Sequence, residues 1–332
     1  MVGLSQIGST ILRKDMYFHQ PTYRDYRWLE TNAFSWTIPE AHMRSNIWLA
    51  FRTNLGVVEG AVFIYSNPDP AGGLLGNDYL DHRHHMPIPP QNLDHYQLAN
   101  GIEVRMTKPM EEWELRYDGS HDTVLDLHFR ALMPPVHIAE TGTDDAQLAT
   151  IRYGHLDQMM SVTGHVRVRG REFDVDWPAW RDHSWSPRPE ASSSGYGSPI
   201  SSNFDYGSFG NEFSFFVQTR NDWHHIERGV VTNGYILDNG VVLRIKRGEG
   251  RYSYVPNGWV TTGVEYELED ERGRSHVFRG EPKSFGRFPV TSHLACIRWT
   301  DQSGEIGWGE YLWHGDLYRM QEQLAARNCA GR

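Results

Sequence analysis

The densest group of chemically capable side chains is the run Trp180-Arg181-Asp182-His183-Ser184-Trp185-Ser186-Pro187-Arg188. Side chains alternate along a strand, so strand geometry puts Arg181, His183 and Trp185 on one face and Asp182 and Ser184 on the other. A guanidinium beside an imidazole disfavours its protonation. His183 is therefore expected to be neutral and able to accept a proton, while the Trp185 indole face can stabilise positive charge developing on a guest. This combination suits proton transfer at an electron-deficient carbon. The competing structural reading pairs Arg181 with Asp182, ties His183 to a backbone carbonyl and leaves the indoles as packing. Under the chemical reading, Asp182 anchors neighbouring backbone or pairs with Arg188.

Other groups invite chemistry less directly. His82, His84 and His85, in Asp81-His-Arg-His-His-Met86, suggest metal ligation, because His-x-His on a strand aims two imidazoles the same way. No carboxylate at a supporting spacing accompanies them, so a solvated polar loop is the expectation and no metal is assigned. The sequence lacks a Gly-x-Ser-x-Gly nucleophile elbow, and no helix follows Gly195-Tyr-Gly197 to cradle a phosphate. Cys296, within Leu294-Ala-Cys-Ile-Arg-Trp299, reads as a buried and inert strand residue.

The elements that must position these residues are strands. Asn46–Thr53 and Val57–Tyr65 alternate around Asn54-Leu-Gly56, Glu112–Tyr117 and Thr123–Met133 around Asp118-Gly119, Ser161–Val168 and Glu172–Asp176 around Arg169-Gly170, and Gly229–Ile236 and Val241–Ile245 around Asp238-Asn-Gly240. Such spacing predicts an antiparallel meander. Helical signals are confined to a short segment near Tyr23–Leu29 and to Asp316–Ala326, where Leu317, Met320 and Leu324 recur at helical spacing. Gly72–Pro90 and Pro187–Ser208 read as loops, and the second divides the chain into a domain of residues 1–186 and one of residues 187–332. The fold expected is all-β: two antiparallel sandwich or barrel domains with a short C-terminal helix.

Composition narrows the function. The 332 residues include 12 Trp, 16 Tyr and 14 Phe, enough aromatic surface for a β-rich core or for the walls of an apolar pocket. Trp36, Trp48, Trp177, Trp180 and Trp308 are the candidate walls. A formal charge of −10 argues against nucleic acid or an anionic membrane surface as the main partner. Two cysteines, no leader-like apolar stretch and no apolar run of membrane-spanning length make a cytoplasmic protein without a membrane span the expectation.

The runs Gly164-His-Val-Arg-Val-Arg-Gly-Arg-Glu-Phe173, Arg181-Asp-His-Ser-Trp185 and Pro187-Arg188, with Asn100-Gly101, Trp113–Gly119 and Leu125–Ala131 upstream, resemble the carotenoid 1,2-hydratase/AttH-like superfamily, in particular its bacterial branch. The resemblance covers roughly Phe34 to Trp313. It implies two lipocalin-like β-domains and cofactor-free acid chemistry on isoprenoid double bonds: hydration, dehydration or cyclisation. His183 and Trp185 match the family's His-x-Trp pair, and by the same resemblance His155 and Gln158 approach its pocket. Ser186 replaces the usual Gly, and the hydratases' downstream Tyr-x-Asp has no clear counterpart. The nearest residues, Asp205 and Tyr206, stand adjacent and reversed; they and Glu212 are candidates for the acid, since a carboxyl in an apolar pocket has a raised pKa. The function expected is a cofactor-independent lyase, hydratase or isomerase on a hydrophobic terpenoid or aromatic substrate. Arg181, His183, Trp185, Asp205 and Tyr206 would be catalytic, and Trp36, Trp180, His155, Gln158 and Glu212 would contact substrate. A lipocalin-like carrier and a His-ligated metal enzyme stay open as alternatives, as does a homodimer.

Overall fold

The computed structural model describes residues 10–22, 24, 26–70, 76–144, 154–188, 200–222, 225–256, 260–287 and 292–314. The first part of the chain supplies eleven strands: β1 (Trp28–Ile38), β2 (Met43–Arg52), β3 (Val57–Tyr65), β4 (Tyr79–Pro87), β5 (His95–Gln97), β6 (Ile102–Lys108), β7 (Glu112–Gly119), β8 (Thr123–Ala131), β9 (Val136–His137), β10 (Gly154–Val168) and β11 (Arg171–Pro187). They form one sheet in the order β4-β3-β2-β1-β11-β10-β8-β7-β6-β5, with β9 also on β10. The sheet curls over itself: the Tyr79 hydroxyl of β4 lies 2.6 Å from that of Tyr117 on β7. A single apolar cluster lines the inside of the curl, drawing Phe34, Leu49, Val62, Val104, Leu115, Phe129 and Val162 from seven strands.

The second part is a barrel of eight consecutive strands: β12 (Ile200–Ser208), β13 (Phe213–Asp222), β14 (Arg228–Asp238), β15 (Val241–Tyr254), β16 (Thr261–Asp270), β17 (Ser275–Arg287), β18 (Ser292–Asp301) and β19 (Ile306–His314). Pairing of β12 with β19 closes it and removes the free edges. The all-β expectation is met, with a curled open sheet beside a closed barrel. The helix expected at Asp316–Ala326 lies outside the described residues.

Three local expectations are corrected. Trp28 and Leu29, expected in a helix, open β1, which is buried along its whole length and hydrogen-bonded to β2 and β11, so sheet pairing on both sides overrides local propensity. Tyr79–Pro87, expected as loop, is the edge strand β4; solvent covers much of it, hence its polar sequence. In the Ser-rich stretch expected as loop, β12 begins at Ile200, and its Ser201, Asn203 and Ser208 are buried small polar residues.

The outer face of the sheet packs on the barrel. One apolar contact joins Ala61, Phe63 and Tyr65 to Leu294, Cys296 and Trp308; another joins Met133, Met159 and Trp180 to Tyr206, Phe216 and Tyr235. Between them lies a fully enclosed ion pair, Arg44 Nη2 to Glu310 Oε2 at 2.9 Å.

Candidate functional site

Strand β11 presents the two faces that alternation predicts. Its register with β1 sets Arg181 beside Phe34, His183 beside Asn32 and Trp185 beside Glu30, and its register with β10 sets them beside Gln158, Leu156 and Gly154. These residues share the side of the sheet that faces the enclosed interior. Gly154 is required there: a Cβ at this position would fall 1.7 Å from the Trp185 indole.

His183 is completely buried, and its Nε2 lies 2.8 Å from Glu30 Oε1. Glu30 also receives His19 Nδ1 at 2.9 Å and the His19 backbone N–H at 3.0 Å. Burial alone would raise the Glu30 pKa, but the hydrogen bonds from His183 and His19 outweigh it and hold the carboxyl below its ordinary range. An ionised Glu30 fixes the proton of neutral His183 on Nε2 and leaves the Nδ1 lone pair free. Burial is the main cause of the depressed His183 pKa; Glu30 opposes it, and Arg181 adds less than the sequence argument gave it.

Around this imidazole the polar atoms outnumber their partners. His183 Nδ1, Arg181 Nε and Nη1, and Asn32 Oδ1 are buried with no hydrogen-bond partner among the described residues. Arg181 rests on aromatic faces instead, 4.4 Å from the Trp113 ring and 5.7 Å from Phe34. Desolvation lowers its pKa to about 10. The Arg181–Asp182 pair of the competing structural reading does not form, because the two side chains leave opposite faces of β11. Asn32 Nδ2 donates to the Tyr96 hydroxyl at 3.3 Å, and burial raises the Tyr96 pKa, keeping that hydroxyl protonated.

A strap from the N-terminal segment covers the group. Its His19 ring stacks on Trp185 at 3.5 Å, and Phe18 packs edge-on against Phe51 at 5.2 Å. The Phe18 N–H donates to Asn92 Oδ1.

The other residues singled out from sequence are distributed as follows. Trp36 lies in the interior cluster with Phe34. Gln158 shares the Arg181 face and donates to the Met110 and Met133 carbonyls at 2.8 and 2.9 Å. His155 is on the opposite face, packed toward the barrel between Asp157 and Asp182, so it does not join His183. Burial would lower the His155 pKa, but these two carboxylates raise it to about 10; burial in turn raises Asp157 to about 6. Asp182 takes His155 and Thr31, while Arg188 donates to Ser184 and Ser186. Trp180 stacks on Tyr206 and Phe216 between sheet and barrel.

The candidate acids also separate. Asp205 points into the barrel, where it accepts from Tyr266 at 2.5 Å and from the Leu312 N–H at 3.1 Å. Burial pushes its carboxyl well above the usual range, in line with the argument made for it, but in the other lobe's interior. Tyr206 leaves the opposite face of β12, near Ser35 and over Arg44. Glu212 is exposed in the turn between β12 and β13. Residues missed in the sequence are Glu30, Asn32, His19 and Tyr96. A glutamate and an asparagine at alternate positions of an otherwise apolar-compatible β1 were the available signal for the first two.

Three groups of described residues could hold a metal: His19, Glu30 and His183; Glu59, His82 and His84; and His155, Asp157 and Asp182. A cavity lined by Pro70, Phe285, His293 and Tyr311 among others shares no lining residue with the group around His183.

Solved structures share this fold. A protein described as an AttH from Nitrosomonas europaea superposes with a TM-score of 0.53 at 11% identity, covering 89% of this chain and 95% of that one. CghA with Sch210972 gives 0.55 at 11% identity, covering 87% and 89%. Kievitone hydratase from Nectria haematococca, at 0.48 and 10% identity over 86% and 88%, falls below the similarity that marks a shared fold. Among curated proteins no sequence matches. The model of a domain of unknown function, DUF7064, matches residues 13–315, and the chain belongs to that family.

Proposed function

We propose that the interior of the curled sheet is the site of cofactor-independent acid–base chemistry on a hydrophobic terpenoid or aromatic molecule, in the manner of a lyase, hydratase or isomerase. The observation that carries this reading is the set of unpaired buried atoms on His183, Arg181 and Asn32. Buried polar groups are costly to leave unpaired, on the order of 1–3 kcal/mol each, and a guest's oxygen and reacting hydrogen would satisfy them. Glu30 holds the imidazole in one tautomer, so His183 Nδ1 takes the proton. The free Arg181 donors bind an oxygen of the guest, and Trp185, Trp113 and Phe34 offer π-faces to developing positive charge. Tyr96 is the hydroxyl that shares this space and serves as the acid in place of Asp205 and Tyr206. The His-x-Trp resemblance at His183 and Trp185 supports the same assignment, and the fold shared with CghA, solved with Sch210972, supports a bound guest. With His183 wholly enclosed, entry requires the strap bearing Phe18 and His19 to move.

The test is turnover of an isoprenoid and aryl panel in D2O and in H2¹⁸O, read by mass spectrometry, with binding followed by tryptophan fluorescence. Wild-type protein is expected to incorporate solvent label, and His183→Gln to lose about 10²-fold or more of that rate while still binding. Arg181→Lys provides a second variant should the first misfold. Binding without label incorporation by the wild type would establish a carrier and overturn the enzyme reading.

A further inference from the structure

The histidine run read as a loop lies on β4, the outer edge of the curled sheet, and it has acquired a carboxylate. Register between β3 and β4 passes from Val58↔Met86 to Gly60↔Arg83, so His84 and His85 together oppose Glu59. This is a β-bulge, and the left-handed φ of 55° at His85 absorbs the extra residue. Met86 thereby returns to the apolar interior while His82, His84 and Glu59 remain together on the outer face. His82 Nε2 lies 2.5 Å from Glu59 Oε1, and His84 Nδ1 lies 3.2 Å from the same oxygen. The two rings are 4.1 Å apart.

We propose that Glu59, His82 and His84 form a binding site for a first-row divalent cation of borderline softness, such as zinc or nickel, with water completing the coordination. Two imidazoles and one carboxylate are a donor set suited to these ions. The three ligand atoms lie within 4.8 Å of one another. Bonds of about 2.0–2.2 Å span up to about 4.4 Å, so only a small turn of His84, the most exposed of the three, is needed. Both imidazoles approach one carboxylate oxygen, and a cation placed between the three ligand atoms replaces the His82–Glu59 hydrogen bond and the His84–Glu59 contact. Unlike the two enclosed His–carboxylate groups, this one opens to solvent and has an entry path. The neighbouring Arg52 cation opposes a metal, but its guanidinium is directed to the Tyr26 carbonyl at 2.6 Å.

The experiment is calorimetric titration of chelator-stripped full-length protein with Zn²⁺ and with Ni²⁺, alongside Glu59→Gln and His84→Ala, with thermal unfolding of each. One ion per chain is expected at pH 7.5. Affinity should fall by about tenfold or more in either variant. Zinc should raise the unfolding temperature of the wild type but not of the variants. Absence of stoichiometric binding, or variants that bind as the wild type does, would overturn the assignment; the second result would direct attention to the enclosed groups instead.

Discussion

His183 combines complete burial with a hydrogen bond to an ionised carboxylate, and the two act in opposite directions on its proton affinity. Burial wins, so the ring is neutral at pH 7 with its free lone pair on Nδ1. Since His183 has to be deprotonated to act, kcat/KM is expected to rise through a pKa below 6.5 and to be flat from there to pH 8. Glu30→Gln keeps a hydrogen-bond acceptor but removes the charge that supports the imidazolium formed during turnover. We expect kcat to fall by about 10²-fold or more and the acid limb to move to lower pH, because Glu30 raises the histidine's proton affinity. An unchanged profile in this variant would show that the dyad is merely structural. Arg181, His183 and Trp185 were legible as a unit because alternation along one strand is a local property. Glu30 and His19 were not, since only the pairing of β1 with β11 and the fold-back of the strap bring residues about 150 positions apart into contact.

At the scale of elements, β11 serves two interiors. Arg181 and His183 face the curl, while Trp180 and Asp182 face the barrel. The turns at Asp118-Gly119 and Asp238-Asn-Gly240 made their hairpins readable. Strand ends were harder: β10 and β11 run far beyond their predicted lengths because long-range partners, β1 and β9, extend the pairing. The Arg44–Glu310 pair that joins sheet to barrel had no sequence signal, and it has a sharp energetic consequence. Glu310→Gln leaves a buried guanidinium uncompensated, and urea unfolding should show a loss of about 3–5 kcal/mol. Replacing both partners by leucine and methionine should restore much of that loss. A single variant as stable as the wild type would mean that water reaches the pair.

For the whole molecule, titrating buried groups define a stability optimum. Burial lowers the pKa of His183, brings His293 to about 3 and His314 to about 4. The unfolded chain therefore binds more protons below pH 6.5, and stability is lost as pH falls through the window from 6.5 toward 4. Asp157, raised to about 6, opposes this in part. His155, raised to about 10 by its two carboxylates, contributes stability that is full below pH 6.5 and lost as pH rises toward 10. Urea midpoints should therefore peak near pH 6.5, and His155→Asn should flatten the alkaline limb; a midpoint climbing steadily to pH 9 would contradict this balance.

The state of the His183 ring is most directly read by NMR of protein labelled with ¹⁵N-histidine, assigned by comparison with His183→Gln. At pH 7 a neutral ring is expected, with the proton on Nε2, a bare Nδ1, and titration only below pH 6.5. A doubly protonated ring at pH 7, or a proton on Nδ1, would leave no base facing the interior and would contradict the proposed chemistry.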